Sequence, residues 1–343
     1  MTYISDYRTA AELTGIARAA FEVAFQADPL AAYFPAVEAN SRVFSLDQVA
    51  GIANATATRL VGYNTTAPRG VEGPAAQRIT GRVVKTAESR HADEMSLVST
   101  PSPSEIAAWQ ETQARALGAS IANRLRIMVS ELLTTGSLDI SETGVEQVLN
   151  FNVPAANTVT LTGGQRWTQA GANPVENVRQ WRDLTGGAGQ MFVSSATLAS
   201  LARNGAIIQA ALRRGTDLPT SVSAADVLSV FAEDNVKVNV LDSRTNTVVD
   251  YSGVVRSLIP ENTILILPDA AAMLGGPSSI GYTHLAPTLE SENPKYGISA
   301  GERPGVFCAG AHHEDPEGYA VRAVGELIPL LKAPAALVTA KVA

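Results

Sequence analysis

The densest collection of potential metal ligands in the sequence is the run His312, His313, Glu314, Asp315 and Glu317. Imidazole and carboxylate are the groups that hold zinc and related ions, with three or four of them converging on one point. Adjacent histidines in a loop do not converge in this way, whereas ligands at i and i+4 of a helix do, so the run reads as a solvated acidic loop. The lone cysteine, Cys308, has no cationic or helix-start context to make it a nucleophile and reads as a small buried residue. Asp226 with Glu233 and Asp234 offers carboxylates for acid–base work, but carboxylates on a helix surface form such sets by chance. No GxSxG elbow, Walker loop or GxGxxG turn occurs, and the glycine cluster Thr185-Gly186-Gly187-Ala188-Gly189 leads into a strand, the wrong order for cradling phosphate. The residues therefore assign no catalytic, cofactor or metal site.

Composition narrows the remaining classes. The chain has 343 residues, 45% of them hydrophobic and 17% charged, which is globular and slightly poor in charge. A net charge of −7 argues against a dedicated nucleic-acid binder, though not against a protein that encloses nucleic acid. One cysteine excludes an internal disulfide and a cysteine zinc cage. No basic segment followed by an apolar run opens the sequence, and no apolar stretch is long enough to span a bilayer, so neither a signal peptide nor a membrane helix is expected.

Along the chain, Leu13, Ile16, Ala20, Phe21 and Phe25 recur at helical spacing, and Pro29 and Pro35 end that helix in an extended arm. The arm carries Tyr33, Phe34 and Phe44, large apolar residues that must be covered either by the chain's own body or by a neighbour. Residues 51–90 alternate small, β-branched and basic residues between glycines and prolines, the pattern of a long hairpin. Its cations, Arg59, Arg69, Arg78, Arg82, Lys85 and Arg90, outnumber its acids in a chain that is acidic overall. Such a hairpin is either solvated or meets an acidic partner.

Ser102, Pro103 and Glu105 then form a capping box. Trp109, Leu117, Ile121, Leu125 and Met128 follow at helical intervals to Gly136, predicting a helix over 103–135 on the order of 50 Å long. Beyond it strands and short helices alternate, including the nearly continuous apolar run Ile264-Leu265-Ile266-Leu267 expected of a strand buried on both faces. Residues 281–318 read as loop-rich, and two strands around Pro329 and Pro334 close the chain. The organisation is α+β.

This order of parts is similar to that of tailed-bacteriophage major capsid proteins of the lambda E type, with the Hong Kong 97 fold. The segment from Ile121 to Ile140 resembles the family's spine-helix end, and Val178 to Ile208 resembles its helix, strand and helix entering the axial domain. Arg256 to Asp269 resembles its late Ile-Pro strand. The resemblance implies an N-terminal helix and arm (1–50), an extended E-loop hairpin (51–95) and a peripheral domain (96–185) with spine helix 103–135. An axial α/β domain (186–318) and C-terminal strands returning to the peripheral domain (319–343) complete it. It implies a non-enzymatic shell subunit forming pentamers and hexamers of an icosahedral head around double-stranded DNA, in the virion after assembly in the bacterial cytoplasm. Scaffolding, portal and decoration proteins are the implied partners, with no cofactor and no membrane. Arg59, Arg69, Arg78, Arg82 and Lys85 of the E-loop, and Tyr33, Phe34 and Phe44 of the arm, are then the expected contacts between subunits. An encapsulin-type nanocompartment shares the fold and is the alternative; an unrecognised soluble enzyme is the third reading.

Overall fold

The computed structural model describes residues 2–3, 5–49, 75–93, 102–142, 145–169, 171–185, 189–212, 219–242, 246–268, 280–314 and 317–343. After a short strand β1 (Thr2–Tyr3) comes helix α1 (Ala10–Gln26), started by a reciprocal capping box between Thr9 and Glu12. Leu13, Ala17, Phe21 and Phe25 repeat every four residues and form its buried stripe. Strands β2 (Ala36–Glu38) and β3 (Val43–Val49) follow, then β4 (Ala75–Arg82) and β5 (Val84–Asp93). Helix α2 (Pro103–Thr135) starts at the Ser102–Glu105 capping box and stops at Gly136, whose φ of 73° needs a residue without a Cβ.

The second half contains β6 (Ser137–Glu142), β7 (Val145–Asn150), β8 (Thr158–Thr160), α3 (Pro174–Leu184) and β9 (Gly189–Ser194). Helices α4 (Ser195–Leu201), α5 (Gly205–Leu212) and α6 (Ala224–Ala232) lead to β10 (Val236–Leu241). Then come β11 (Thr247–Val249), β12 (Val255–Ser257), β13 (Thr263–Pro268) and β14 (Gly281–Leu285), followed by β15 (Val306–Glu314), β16 (Glu317–Leu331) and β17 (Val338–Lys341).

Among the described residues two sheets organise these elements. One holds β1, β2, β5, β14, β15 and β16; the other runs β10-β9-β13-β17-β8. Helices α1 and α2 pack on each other and on the first sheet, closing a core that includes Leu117, Ile121, Leu125 and Met128, with half-buried Trp109 at its margin. Helices α3 to α6 close a second core on the other sheet. Side chains of a strand alternate between faces, so Phe192, Leu265 and Leu267 enter the first core while Met191, Val193, Ile264 and Ile266 enter the second. The shared sheet thereby joins the two cores.

Several strands differ from the sequence reading. Residues 281–318, read as loop-rich, contain β14 and most of β15, which pair with β16. The alanines, glycine and Cys308 of β15 carry little strand propensity, and β14 is only five residues long, so burial between long-range partners makes these strands. The boundary at 318 falls within the β15–β16 pair. Two strands close the chain, β16 and β17, with Pro334 between them; Pro329 lies inside β16, where the β5 ladder has ended at Leu327 and leaves no partner on that side for a proline to deny a donor.

Candidate functional site

The residues that offered chemistry are held in structural roles. Cys308 is buried, its thiol pushed up to about 12 by desolvation, and its backbone N–H donates to the Thr14 hydroxyl. Asp226 caps α6 through Ser223, and Asp234 accepts from Arg179 at 2.9 Å. His312 packs against the Tyr319 ring. Among the described residues no three His, Cys, Asp or Glu side chains come together as a metal site, and the side chains of 313–317 lie outside that description. No helix among the described residues is long and apolar enough to cross a membrane.

What the fold does position is a pair of strands outside its two main sheets, packed on the first core through Phe44, Leu46 and Ile79. Strands β3 and β4 pair only with each other among the described residues, from Val43↔Arg82 to Val49↔Ala75. The hairpin root therefore lies at 43 and 82, earlier than the expected start at 51. At the root, Arg42 donates from Nε to the Pro287 carbonyl (2.8 Å) and to Glu326 (2.9 Å), and from Nη2 to Glu292 (2.5 Å). Lys85 meets Glu290 at 2.7 Å, and His284 Nε2 lies 2.9 Å from the Ser41 carbonyl oxygen. Glu326 is buried, and desolvation pushes its carboxyl above the ordinary range although Arg42 opposes the shift.

The expected contact residues divide. Tyr33, Phe34 and Phe44 are buried within the chain, which corrects the expectation that a neighbour covers them. Phe34 lies against β14, where a Cβ on Gly281 would meet its ring at 2.5 Å, and Tyr33 packs edge-on to Phe192. A sequence shows that such rings need cover but not whose surface supplies it. Arg78 is paired with Asp47 on the facing strand at 2.7 Å, and Lys85 is paired as above, so both are engaged inside the chain. Arg82 is exposed and makes no ion pair with a described residue. Arg59 and Arg69 lie outside the described residues.

One feature went unread in the sequence. The β11–β12 hairpin stands apart from both sheets and exposes Val249, Tyr251, Val254 and Val255, with Tyr251 80% accessible. Its turn is fixed by Asp250, which accepts from the Ser252 and Val254 backbones, the Ser252 hydroxyl and Arg256; these bonds hold its carboxyl down at about 2. Asn246 ties its root down, giving from Nδ2 to the Ile259 carbonyl (2.8 Å) and accepting the Ile259 N–H (2.7 Å). Alternation of Val, Tyr and Val was the available signal, but its exposure depends on tertiary placement. Asn246→Ala leaves both buried Ile259 groups unsatisfied and is expected to cost about 2 kcal/mol, measured by denaturant unfolding. An unchanged midpoint would remove Asn246 as the anchor.

A family model described as phage major capsid protein E matches residues 74–342. Among solved structures, the chain is similar to a prophage protein of E. coli CFT073 assigned as its capsid protein, at TM-score 0.62 and 15% identity, covering 96% of this chain and 99% of the other. It is also similar to a phage-related protein of Bordetella bronchiseptica RB50, at TM-score 0.54 and 11% identity, covering 96% of each. No curated protein matches the sequence significantly. The fold is that of Hong Kong 97 capsid proteins. With a long helix under a wide sheet, a strand pair outside both main sheets and a family match across most of its length, the chain belongs to the phage major capsid protein E family, whose members build the phage shell.

Proposed function

We propose that copies of this chain form the pentamers and hexamers of an icosahedral head around double-stranded DNA. The observation that carries the reading is the family match, joined to a hairpin that lies outside both sheets. Two strands alone are marginal in water. The inner face of β3 and β4 is covered by the chain's own first core through Phe44, Leu46 and Ile79, and the outer face, with Asp47, Arg78 and Arg82 exposed, is the surface left for a neighbour. The six-stranded sheet with α1 and α2 is the peripheral unit of this reading; the five-stranded sheet with α3 to α6 is the axial unit. The match to a phage family favours a genome container over an enzyme-filled compartment. Scaffolding, portal and decoration proteins remain the partners this reading implies, the host cytoplasm its place of assembly and the virion its destination. The chain has a structural role in it and no catalytic one. A net negative subunit suits it, since a basic lining would bind the entering genome.

Arg82, Arg59 and Arg69 are the proposed hairpin contacts to acidic surfaces of an adjacent subunit. Arg82→Glu is expected to lower the yield of assembled particles about tenfold, equivalent to about 1.4 kcal/mol at one interface. Sedimentation and thermal unfolding together check this: particles are lost while the unfolding midpoint is kept. Full particle yield from Arg82→Glu would remove Arg82 from the contact. A wild-type chain that sediments only as a monomer under every assembly condition would overturn the shell reading.

A further inference from the structure

Four residues, 39–42, connect β2 to β3, and none of them is buried. Polar contacts hold this connection in place of apolar ones. The Ala39 N–H donates to the Leu285 carbonyl, His284 Nε2 lies 2.9 Å from the Ser41 carbonyl oxygen, and the Val83 N–H donates to the Arg42 carbonyl. The Arg42 guanidinium closes the set by reaching Glu326, Glu292 and the Pro287 carbonyl. A segment with few buried apolar contacts opens locally at lower cost than the core does. The inner face of β3 and β4 differs, since Phe44, Leu46 and Ile79 sit in the first core. The connection can therefore loosen while the hairpin keeps its seat.

We infer that Arg42, Glu326 and the connection 39–42 form a pH-sensitive latch on the root of the β3–β4 hairpin, closed while Glu326 is protonated and loosened once it is ionised. Of the three carboxylates gathered here, Glu326 is the buried one, 4% accessible, while Glu290 is half-buried and Glu292 exposed. Glu326 stands across from Lys85 of β5 in register, but Lys85 is taken by Glu290 at 2.7 Å. Arg322, also on β16, acts on Glu290 and donates to the Tyr296 hydroxyl. The Leu289 N–H donates to Glu326. His284, beside the Phe44 ring, gives its Nε2 proton to the Ser41 carbonyl, a bond open to imidazole and imidazolium alike.

An ionised Glu326 in the closed root lacks the water it would have in an open one. Arg42, with about a third of its side chain in solvent, does not replace all of that water, and burial raises the carboxyl above its ordinary range. A group that holds its proton more tightly in the closed form favours that form in acid. As pH rises through the raised value, the closed form loses this advantage and the open form, with Glu326 hydrated, gains population. Protonation does not undo the latch, because Arg42 keeps the Pro287 carbonyl, which does not titrate. The latch belongs to the single chain and does not depend on assembly. In the shell read above, it sets how freely the outer face of β3 and β4 adjusts to a neighbour.

Backbone hydrogen exchange of the full-length chain, kept in one assembly state from about pH 4 to about pH 8, tests this; the span starts near the ordinary glutamate value and ends well above it. Protection is taken relative to an unstructured chain at the same pH, which cancels the base catalysis of exchange itself. The reporters are the Ala39 and Val83 amides, bonded to the Leu285 and Arg42 carbonyls, and the control is the α2 stretch from Leu117 to Leu132. Protection at both reporters is expected to fall severalfold as pH rises, with α2 unchanged. Glu326→Gln, which keeps the shape and removes the titration, is expected to abolish the fall. A flat wild-type profile would overturn the latch. So would a fall retained in Glu326→Gln, which would assign the titration to His284, or a parallel fall in α2, which would show the whole chain opening. The wild-type profile decides on its own if the variant fails to fold.

Discussion

Replacing Gly118 with leucine is expected to leave α1 undocked and the chain unable to fold stably. Gly118 sits where α2 crosses α1, and a Cβ there would lie 2.1 Å from the Ala17 carbonyl oxygen and 3.1 Å from its Cα. These are backbone atoms, so no rotamer change relieves the clash and the helices must separate. Separation unpacks Leu13, Phe21 and Phe25, each buried in the first core. Overpacking typically costs about 1–3 kcal/mol, and a contact with backbone belongs at or beyond the top of that range. Gly118→Ala has a compensating gain of up to about 1 kcal/mol in helix propensity, so it is expected to be milder, with a net loss of about 2 kcal/mol. Against a total stability of about 5–15 kcal/mol, the leucine variant should express largely insoluble and the alanine variant should melt several degrees early. Wild-type melting of both would show that α1 does not need this close approach.

The second large effect is at the hairpin root. Arg42→Ala is expected to destabilise the fold by about 2–3 kcal/mol at neutral pH. This is below the 3–5 kcal/mol of a fully buried pair, because Arg42 keeps about a third of its side chain in water. The loss comes from Glu326, which stays buried without its counter-charge. Burial already raises the Glu326 carboxyl above its ordinary value, so the folded state holds the proton more tightly than the unfolded one. Stability from this group is therefore fully present below the ordinary glutamate range and falls as pH rises through the raised value. Removing Arg42 raises that value further, so the variant should be close to wild type in acid and worst at neutral pH and above. Adding Glu326→Gln to Arg42→Ala should recover most of the loss. Denaturant unfolding of the wild type, the two single variants Arg42→Ala and Glu326→Gln, and the double variant at several pH values measures it; a pH-independent loss without rescue would show that Arg42 acts only through Pro287 and Glu292.

Much of this architecture was legible before the structure. Helix α2 declares both of its ends, through the Ser102–Glu105 box and Gly136, and its buried stripe through spacing. Strand β13 was legible because it is buried on both faces and its apolar run is unbroken. Strands β14 and β15 were not: β14 is a short run, the alanines, glycine and cysteine of β15 carry no periodic signal, and their pairing with β16 lies far along the chain or across a short connection that composition does not mark. Tyr33, Phe34 and Phe44 announced a need for burial without naming the covering surface. The charges misled in a related way: Arg78 and Lys85 count toward the hairpin's positive excess, yet each is neutralised by an acid that only the fold brings near. The exposed β11–β12 hairpin looked like an ordinary strand segment, since a valine reads the same whether it faces a core or water.

A shell subunit of this fold leaves the exposed face of β3 and β4 for its neighbours to cover. Cryo-electron microscopy of the purified, assembled chain tests it most directly. Closed icosahedral particles are expected, with the outer face of β3 and β4 against a neighbouring subunit and Tyr33, Phe34 and Phe44 still inside their own core. A population of monomers or dimers under every assembly condition, or particles in which the outer face of β3 and β4 stays in solvent, would contradict it.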